Sequence, residues 1–229
     1  MSGNIHANYD WDVAAAEREF RRALQLNPRC SSCRQWLGLL YATQERHSEA
    51  AAQLDTTVRI DPASPIAYVN QANVLYYARQ YDAAAAAADR ALQIDETFGR
   101  AHLMRALIDF QRERRSEALQ RVEMLQQAAA EPALLAVLAY QYGITGDTAR
   151  ALGYFRHLEA VAAERYVPAE YRALSYLGIG DADGAFAQLG EATARRSNGM
   201  IYLRVEPMLS PLHGDPRYAA LVRALRAGG

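Results

Sequence analysis

Small and apolar residues recur along this chain at spacings of 4 and 3, the period of one face of a helix. Ala16, Phe20 and Ala23 open the series, and Pro28 follows five residues later. Ala50, Leu54, Thr57 and Pro62 repeat that spacing 34 residues on. Ala84, Ala88 and Ala91 repeat it again, with Glu96 where proline stood. Ala118, Val122 and Leu125 follow, then Ala151, Phe155 and Leu158, then Ala185, Leu189 and Ala192. The last three steps are 34, 33 and 34 residues, which makes about six copies of one unit. Each full copy has marks of its own in its first half. They are Leu37, Gly38 and Tyr41; Gln71, Ala72 and Leu75; Arg105, Ala106 and Asp109; Leu138, Ala139 and Tyr142; Arg172, Ala173 and Tyr176. Turn signals such as Thr145–Asp147 and Gly178–Asp181 separate the halves. Each unit therefore predicts two antiparallel helices, and the fixed period separates the chain from an ordinary helical bundle.

The stretch RQYDAAAAAADRALQIDE, residues 79–96, tests that reading. Ala84, Ala88 and Ala91 fall on the recurring positions, where a small side chain lets a neighbouring helix approach. Ala83, Ala85, Ala86 and Ala87 are expected on outward or flanking positions, where alanine's helix propensity suffices. Breaks in the period carry expectations too. The first copy offers a second helix at about Val13–Leu26, but its first-half marks fall on Asn4 and Ala7, so the chain reads as starting inside a repeat of a longer protein. Arg105 and Asp109 occupy apolar marks, so the fourth copy is expected to be looser. After Arg196 the period ends. An extended connector and a last helix from about Pro216 are expected, with Pro216 at its first position and a stripe of Tyr218, Leu221 and Leu225.

These marks resemble the tetratricopeptide repeat, a 34-residue pattern of aromatic, Leu-Gly and Tyr, then Ala, Phe, Ala and Pro. The resemblance implies an all-α fold: a right-handed superhelix of about six helix pairs, the first truncated, with a C-terminal capping helix. It divides the chain into a partial first-repeat helix or disordered start at residues 1–12, a solenoid at 13–197, and a connector with capping helix at 198–229. In this family the first helix of each pair lines a concave groove. The positions it implies are Gln35, Leu39, Asn70, Asn73, Tyr76, Tyr77, Arg100, Leu103, Leu107, Phe110, Tyr140, Glu170 and Leu174. Tyrosine there combines a large contact area with a hydrogen-bonding tip. Asn73 and Arg100 fit two places of a carboxylate clamp known in the family, but Met104 and the absence of lysine break the set. Residues 8–28 and 201–225 are further similar to the two ends of tetratricopeptide regions at the C-termini of large bacterial signalling proteins. In those, a winged-helix, kinase or cyclase module precedes the repeats. The tail matches through Val205, Glu206, Pro207, Leu209, Pro211, Leu212, Asp215, Pro216, Arg217 and Tyr218. The function implied is a protein-interaction scaffold, whose partner is a peptide, another protein or the parent's own output module. The alternative is a regulatory sensor with a small ligand in the groove.

Composition removes other classes. The chain has 229 residues, 51% of them hydrophobic, and a formal charge of −1, so no basic tail points to nucleic acid. No apolar run reaches the roughly 18 residues of a membrane span, and the start lacks the pattern of a signal peptide. With two cysteines the expected setting is the cytoplasm, unless a longer parent is exported. Cys30 and Cys33 form CSSC at a helix start. A thioredoxin-like reading needs a preceding strand and a zinc site needs two more ligands, so a structural or incidental role is expected, ahead of an adventitious disulfide or a metal. The five histidines lack ligand spacing. GIGDADG lacks the lysine and hydroxyl residue of a phosphate loop. In residues 111–121 acids offset the arginines, as on a solvated face. No enzyme activity, cofactor or metal is expected.

Overall fold

A computed structural model describes residues 12–128 and 131–227. The readings placed on Asn4 and Ala7 lie outside the described residues. Every regular element among the described residues is a helix. In chain order they are α1 (Val13–Leu26), α2 (Ser31–Thr43), α3 (His47–Ile60), α4 (Pro65–Tyr77), α5 (Tyr81–Ile94), α6 (Gly99–Gln111) and α7 (Arg115–Ala128). Then come α8 (Pro132–Ile144), α9 (Thr148–Glu164), α10 (Ala169–Gly178), α11 (Ala182–Ala194), two 3-10 turns at Asn198–Tyr202 and Pro207–Leu212, and α12 (Pro216–Ala227). The chain divides into two compact units, residues up to 118 and residues from 119. Each is an array of helix pairs, so the fold is an all-α repeat.

The period is written in the backbone as well as in the side chains. Glu45, Arg79 and Glu113 have φ of 62°, 61° and 62°, and Gly146 and Gly180 have 85° and 80°. These left-handed residues fall at the same place in five successive copies. Each ends the first helix with the same pair of hydrogen bonds. The amide of Arg46 donates to Tyr41 O at 3.0 Å and that of Glu45 to Ala42 O at 3.0 Å. The pattern recurs from Gln80 to Leu75, Arg114 to Asp109, Asp147 to Tyr142 and Asp181 to Tyr176. This is the Schellman closure of a helix C-terminus. The residue that completes it also starts the next helix: Asp147 and Asp181 accept from Arg150 N and Gly184 N at 3.1 and 2.8 Å.

In the first unit the recurring positions are core. Ala16, Ala50, Leu54, Thr57, Ala84, Ala88 and Ala91 are fully buried. Gly38 shows why the position must be small, because a Cβ there would stand 2.0 Å from Leu54 Cδ2 and 3.2 Å from Ala50 O. Of the four alanines expected outside, Ala83 and Ala86 are exposed, but Ala85 and Ala87 are buried. The correction has a steric cause: Tyr76, Ala84, Ala85, Ala87, Ala88, Met104 and Ile108 share one core cluster, so α5 buries more than one stripe. The charged marks of the fourth copy are likewise accommodated. Arg105 bonds Asp89 at 2.8 Å and pairs directly with Asp109, which is only 2% exposed.

In the second unit α8 lies against α9 and α10, α10 against α11, and α11 against α12. Gly143 and Gly178 bring α8 and α10 into backbone contact: a Cβ on Gly143 would meet Gly178 O at 1.7 Å. The last helix forms where expected. The Arg217 guanidinium reaches Asp183 at 2.7 Å and covers the Phe186 ring at 4.1 Å, while Tyr218 donates to Leu203 O at 2.9 Å.

Candidate partner-binding face

In the first unit α2, α4 and α6, the first helices of three successive pairs, lie side by side. Asn70, Asn73, Tyr77, Leu103 and Leu107 are half-buried there, and Arg100 is exposed. Asn70 Nδ2 donates to Gln35 Oε1 at 2.7 Å, and Gln35 Nε2 donates to Ser31 Oγ at 3.2 Å. A polar row thus crosses from α2 to α4. Beside it stands Trp36, 41% exposed, a large apolar surface that sequence reasoning left out. The signal was present, since Trp36 lies one period before Asn70.

Other expected positions do not present open surface. Leu39, Tyr76 and Phe110 are buried at 9%, 1% and 6% exposure. Tyr76 and Phe110 share one place in the repeat with the fully buried Ala42, so that place turns into the core. Tyr76 packs its ring against Tyr77 and Tyr81, with centroids 5.6 and 5.9 Å apart. The small side chains of α5 leave room for these rings.

In the second unit the equivalent positions are covered by the chain's own connector. Glu170 accepts from Ser197 Oγ at 2.6 Å and from the Gly199 amide at 3.2 Å. A Cβ on Gly199 would stand 2.3 Å from the Glu170 carboxylate, so the fit leaves no spare volume. Tyr140 is buried, and burial with the nearby charge of Glu206 pushes its hydroxyl up to about 12. Leu174 is buried too. Residues 134–142 of α8 are all buried, as a helix covered on every side must be. The expectation that Tyr140, Glu170 and Leu174 lie open is therefore corrected. Residues 197–212 hold that side, with Met200, Leu203, Val205 and Leu212 in the core.

Each unit has a polar cluster that links its helices. Arg46 contacts Glu17 at 2.7 Å, and its guanidinium lies 4.0 Å over the Tyr41 ring, whose hydroxyl donates to Glu17 at 3.2 Å. Burial alone would raise the Glu17 carboxyl, but Arg46 and Arg21 with Tyr41 hold it below its usual value. In the second unit Tyr142 donates to Glu123, accepts from Arg150 at 3.0 Å, and stacks on Tyr154 at 5.7 Å. Burial first, and the bond to Glu123 next, push the Tyr142 hydroxyl up to about 12. Both clusters tie a first helix to the second helix before it, and each charge has a neighbour to balance it. No group of three or more metal-ligating side chains gathers among the described residues. No helix of the described residues is long and apolar enough to cross a membrane.

Cys30 and Cys33 are joined by a disulfide, the pairing that the sequence ranked behind a structural or incidental role.

Solved structures share this architecture. PilW, a type IV pilus biogenesis factor, matches over 88% of this chain and 91% of its own, at 17% identity and a TM-score of 0.63. The fold is that of the tetratricopeptide repeat. PilF of Pseudomonas aeruginosa matches over 93% of this chain and 90% of its own, at 16% identity and a TM-score of 0.58. A tetratricopeptide repeat protein of Parabacteroides merdae matches over 98% of this chain and 91% of its own, at 16% identity and a TM-score of 0.57. No family model matches the sequence, and no curated protein does.

Proposed function

We propose that this chain is a non-catalytic interaction scaffold that holds an extended peptide segment of a partner protein along α2, α4 and α6. One observation carries the reading. The polar row Ser31–Gln35–Asn70 runs across two helices beside the exposed Trp36. Amide side chains in such a row can accept and donate to a peptide backbone. Trp36, Tyr77, Leu103 and Leu107 offer the apolar contacts that dominate such interfaces. Arg100 supplies an exposed positive charge for an acidic group but makes no carboxylate clamp alone. The covered face of the second unit supports the same reading, because there the chain's own segment occupies the equivalent positions.

The chain serves as the C-terminal regulatory part of a larger bacterial signalling protein, and its partner is a peptide or that parent's output module. Neither nucleic acid nor membrane is a direct partner. A cytoplasmic setting is part of the reading; there the thiol pool would keep the Cys30–Cys33 bond open. The small-ligand alternative calls for an enclosed pocket on the α2–α4–α6 face. Two recesses, one near Arg21 and Gln53 and the other near Tyr154 and His157, are open to solvent and lie elsewhere.

The test is a peptide library panned against the chain, with the selected peptide titrated against variants. Tyr77→Ala and Leu103→Ala should each weaken binding by about tenfold or more, as interface anchors do. Arg100→Ala should matter less at high salt, where exposed charge pairing is screened. Met124→Ala, exposed on α7, should change nothing. Loss of binding in the Met124 variant with none in the others would reject the assignment.

A further inference from the structure

The chain contains two cysteines, and they bond to each other across two serines. A disulfide that acts as a staple closes a long loop and removes chain entropy from the unfolded state. This one closes a loop of two intervening residues at the start of one helix, so it does little to hold the fold. Its surroundings suit chemistry better. Cys30 is the N-cap of α2, and its Sγ lies 3.3 Å from the Cys33 amide, which points at it. Amides at a helix start favour a thiolate over a thiol. Arg34 donates to Pro28 O at 2.9 and 3.3 Å, which holds its guanidinium against the turn that precedes Cys30. Cys30 and Cys33 are both half-buried, so neither residue is sealed in the core.

We propose that Cys30 and Cys33 form a redox-active dithiol–disulfide centre that exchanges with low-molecular-weight thiols of the glutathione class. The inference does not depend on the partner-binding reading. In reduction an external thiolate bonds to Cys33 Sγ, the Sγ–Sγ bond breaks, and Cys30 leaves as the thiolate that the helix amides stabilise. The better-stabilised thiolate is the better leaving group. A second external thiolate then attacks the external sulfur of the mixed disulfide and releases Cys33, which takes up a proton. Two external thiols are oxidised to one disulfide, and the protein disulfide gains the two electrons. Oxidation by the external disulfide runs the same steps backwards.

The test uses the whole chain in a series of buffers of reduced and oxidised glutathione. Each sample is quenched near neutral pH with excess N-ethylmaleimide, which caps free thiols faster than they exchange, and weighed by mass spectrometry, with circular dichroism taken in parallel. The doubly alkylated species should replace the unalkylated one gradually across the series while the helical signal stays constant. A pair that stays oxidised throughout and opens only on unfolding would make the bond a static staple and overturn the proposal. A pair that stays reduced in excess oxidised glutathione would overturn it as well. Cys33→Ser gives a second readout, because it leaves Cys30 under the same amides. The pH midpoint of its alkylation rate should fall below the ~8.5 of an ordinary cysteine. A midpoint at or above that value contradicts the assignment of Cys30 as the stabilised thiolate.

Discussion

Gly143→Ala is the sharpest test of the helix crossings. The new Cβ would stand 1.7 Å from Gly178 O and 2.5 Å from its carbonyl carbon. Both obstacles are backbone, so no rotamer change relieves them. Helices α8 and α10 must separate by more than an ångström, and α8 is buried along most of its length. Overpacking a dense core costs about 1–3 kcal/mol. This site belongs at the upper end, because an axis and not a side chain must move. Alanine returns about 1 kcal/mol of helix propensity over glycine. The net loss should be about 2 kcal/mol. Gly153, in α9, has nothing within 4 Å of its would-be Cβ. Gly153→Ala should therefore gain about 0.5–1 kcal/mol from propensity alone. Gly38→Ala belongs between them, because its nearest obstacle is the movable tip of Leu54. Urea unfolding followed by circular dichroism reads all three. With a slope of about 2 kcal/mol per molar, the Gly143 and Gly153 variants should differ in midpoint by about 1 M or more. Midpoints shifted in the same direction would refute the close-crossing argument.

The Arg105–Asp109 pair should be costly to break and cheap to replace. Arg105→Leu leaves Asp109 buried without its cation and should cost about 3–5 kcal/mol, whereas Arg105→Leu with Asp109→Leu should be neutral or more stable by about 1–4 kcal/mol. Equal denaturation midpoints for the single and double variants would show that the pair is not desolvated. Alkaline pH should loosen the second unit. Burial pushes the hydroxyls of Tyr140, Tyr142 and Tyr202 up to about 12. The folded chain thus holds protons that the unfolded chain releases near ~10. This stability is complete below that value and is lost as pH rises towards 12. Circular dichroism and tyrosinate absorbance followed together should show helix loss accompanying ionisation, and ionisation of all three without helix loss would contradict the burial.

The period was legible because helix crossings tolerate few residue types. Ala16, Ala50, Ala84, Ala118, Ala151 and Ala185 are all completely buried. The inner face was legible only in part. Tyr76 and Phe110 were misplaced because a fraction of a turn separates the open face from the core, and spacing alone does not resolve it. The turns at Glu45, Arg79 and Glu113 carry no glycine, so their left-handed backbone left no mark in the sequence. The covering of Tyr140 and Glu170 by residues 197–212 is a tertiary contact between distant segments, and no local pattern encodes it. The Cys30–Cys33 bond depends on the redox surroundings as much as on the spacing.

If α2, α4 and α6 present the partner-binding face, a bound peptide must touch the polar row and the indole on it. The most direct measurement is a nuclear magnetic resonance titration of the labelled chain with the library-selected peptide, read at the Trp36 indole N–H and the side-chain amides of Gln35, Asn70 and Asn73. Saturable shifts are expected at these four groups, with the amides of Ala83 and Ala86 on the exposed side of α5 unmoved. Shifts confined to α5, to Met124 on α7 or to α12, with these four groups unchanged, would contradict it.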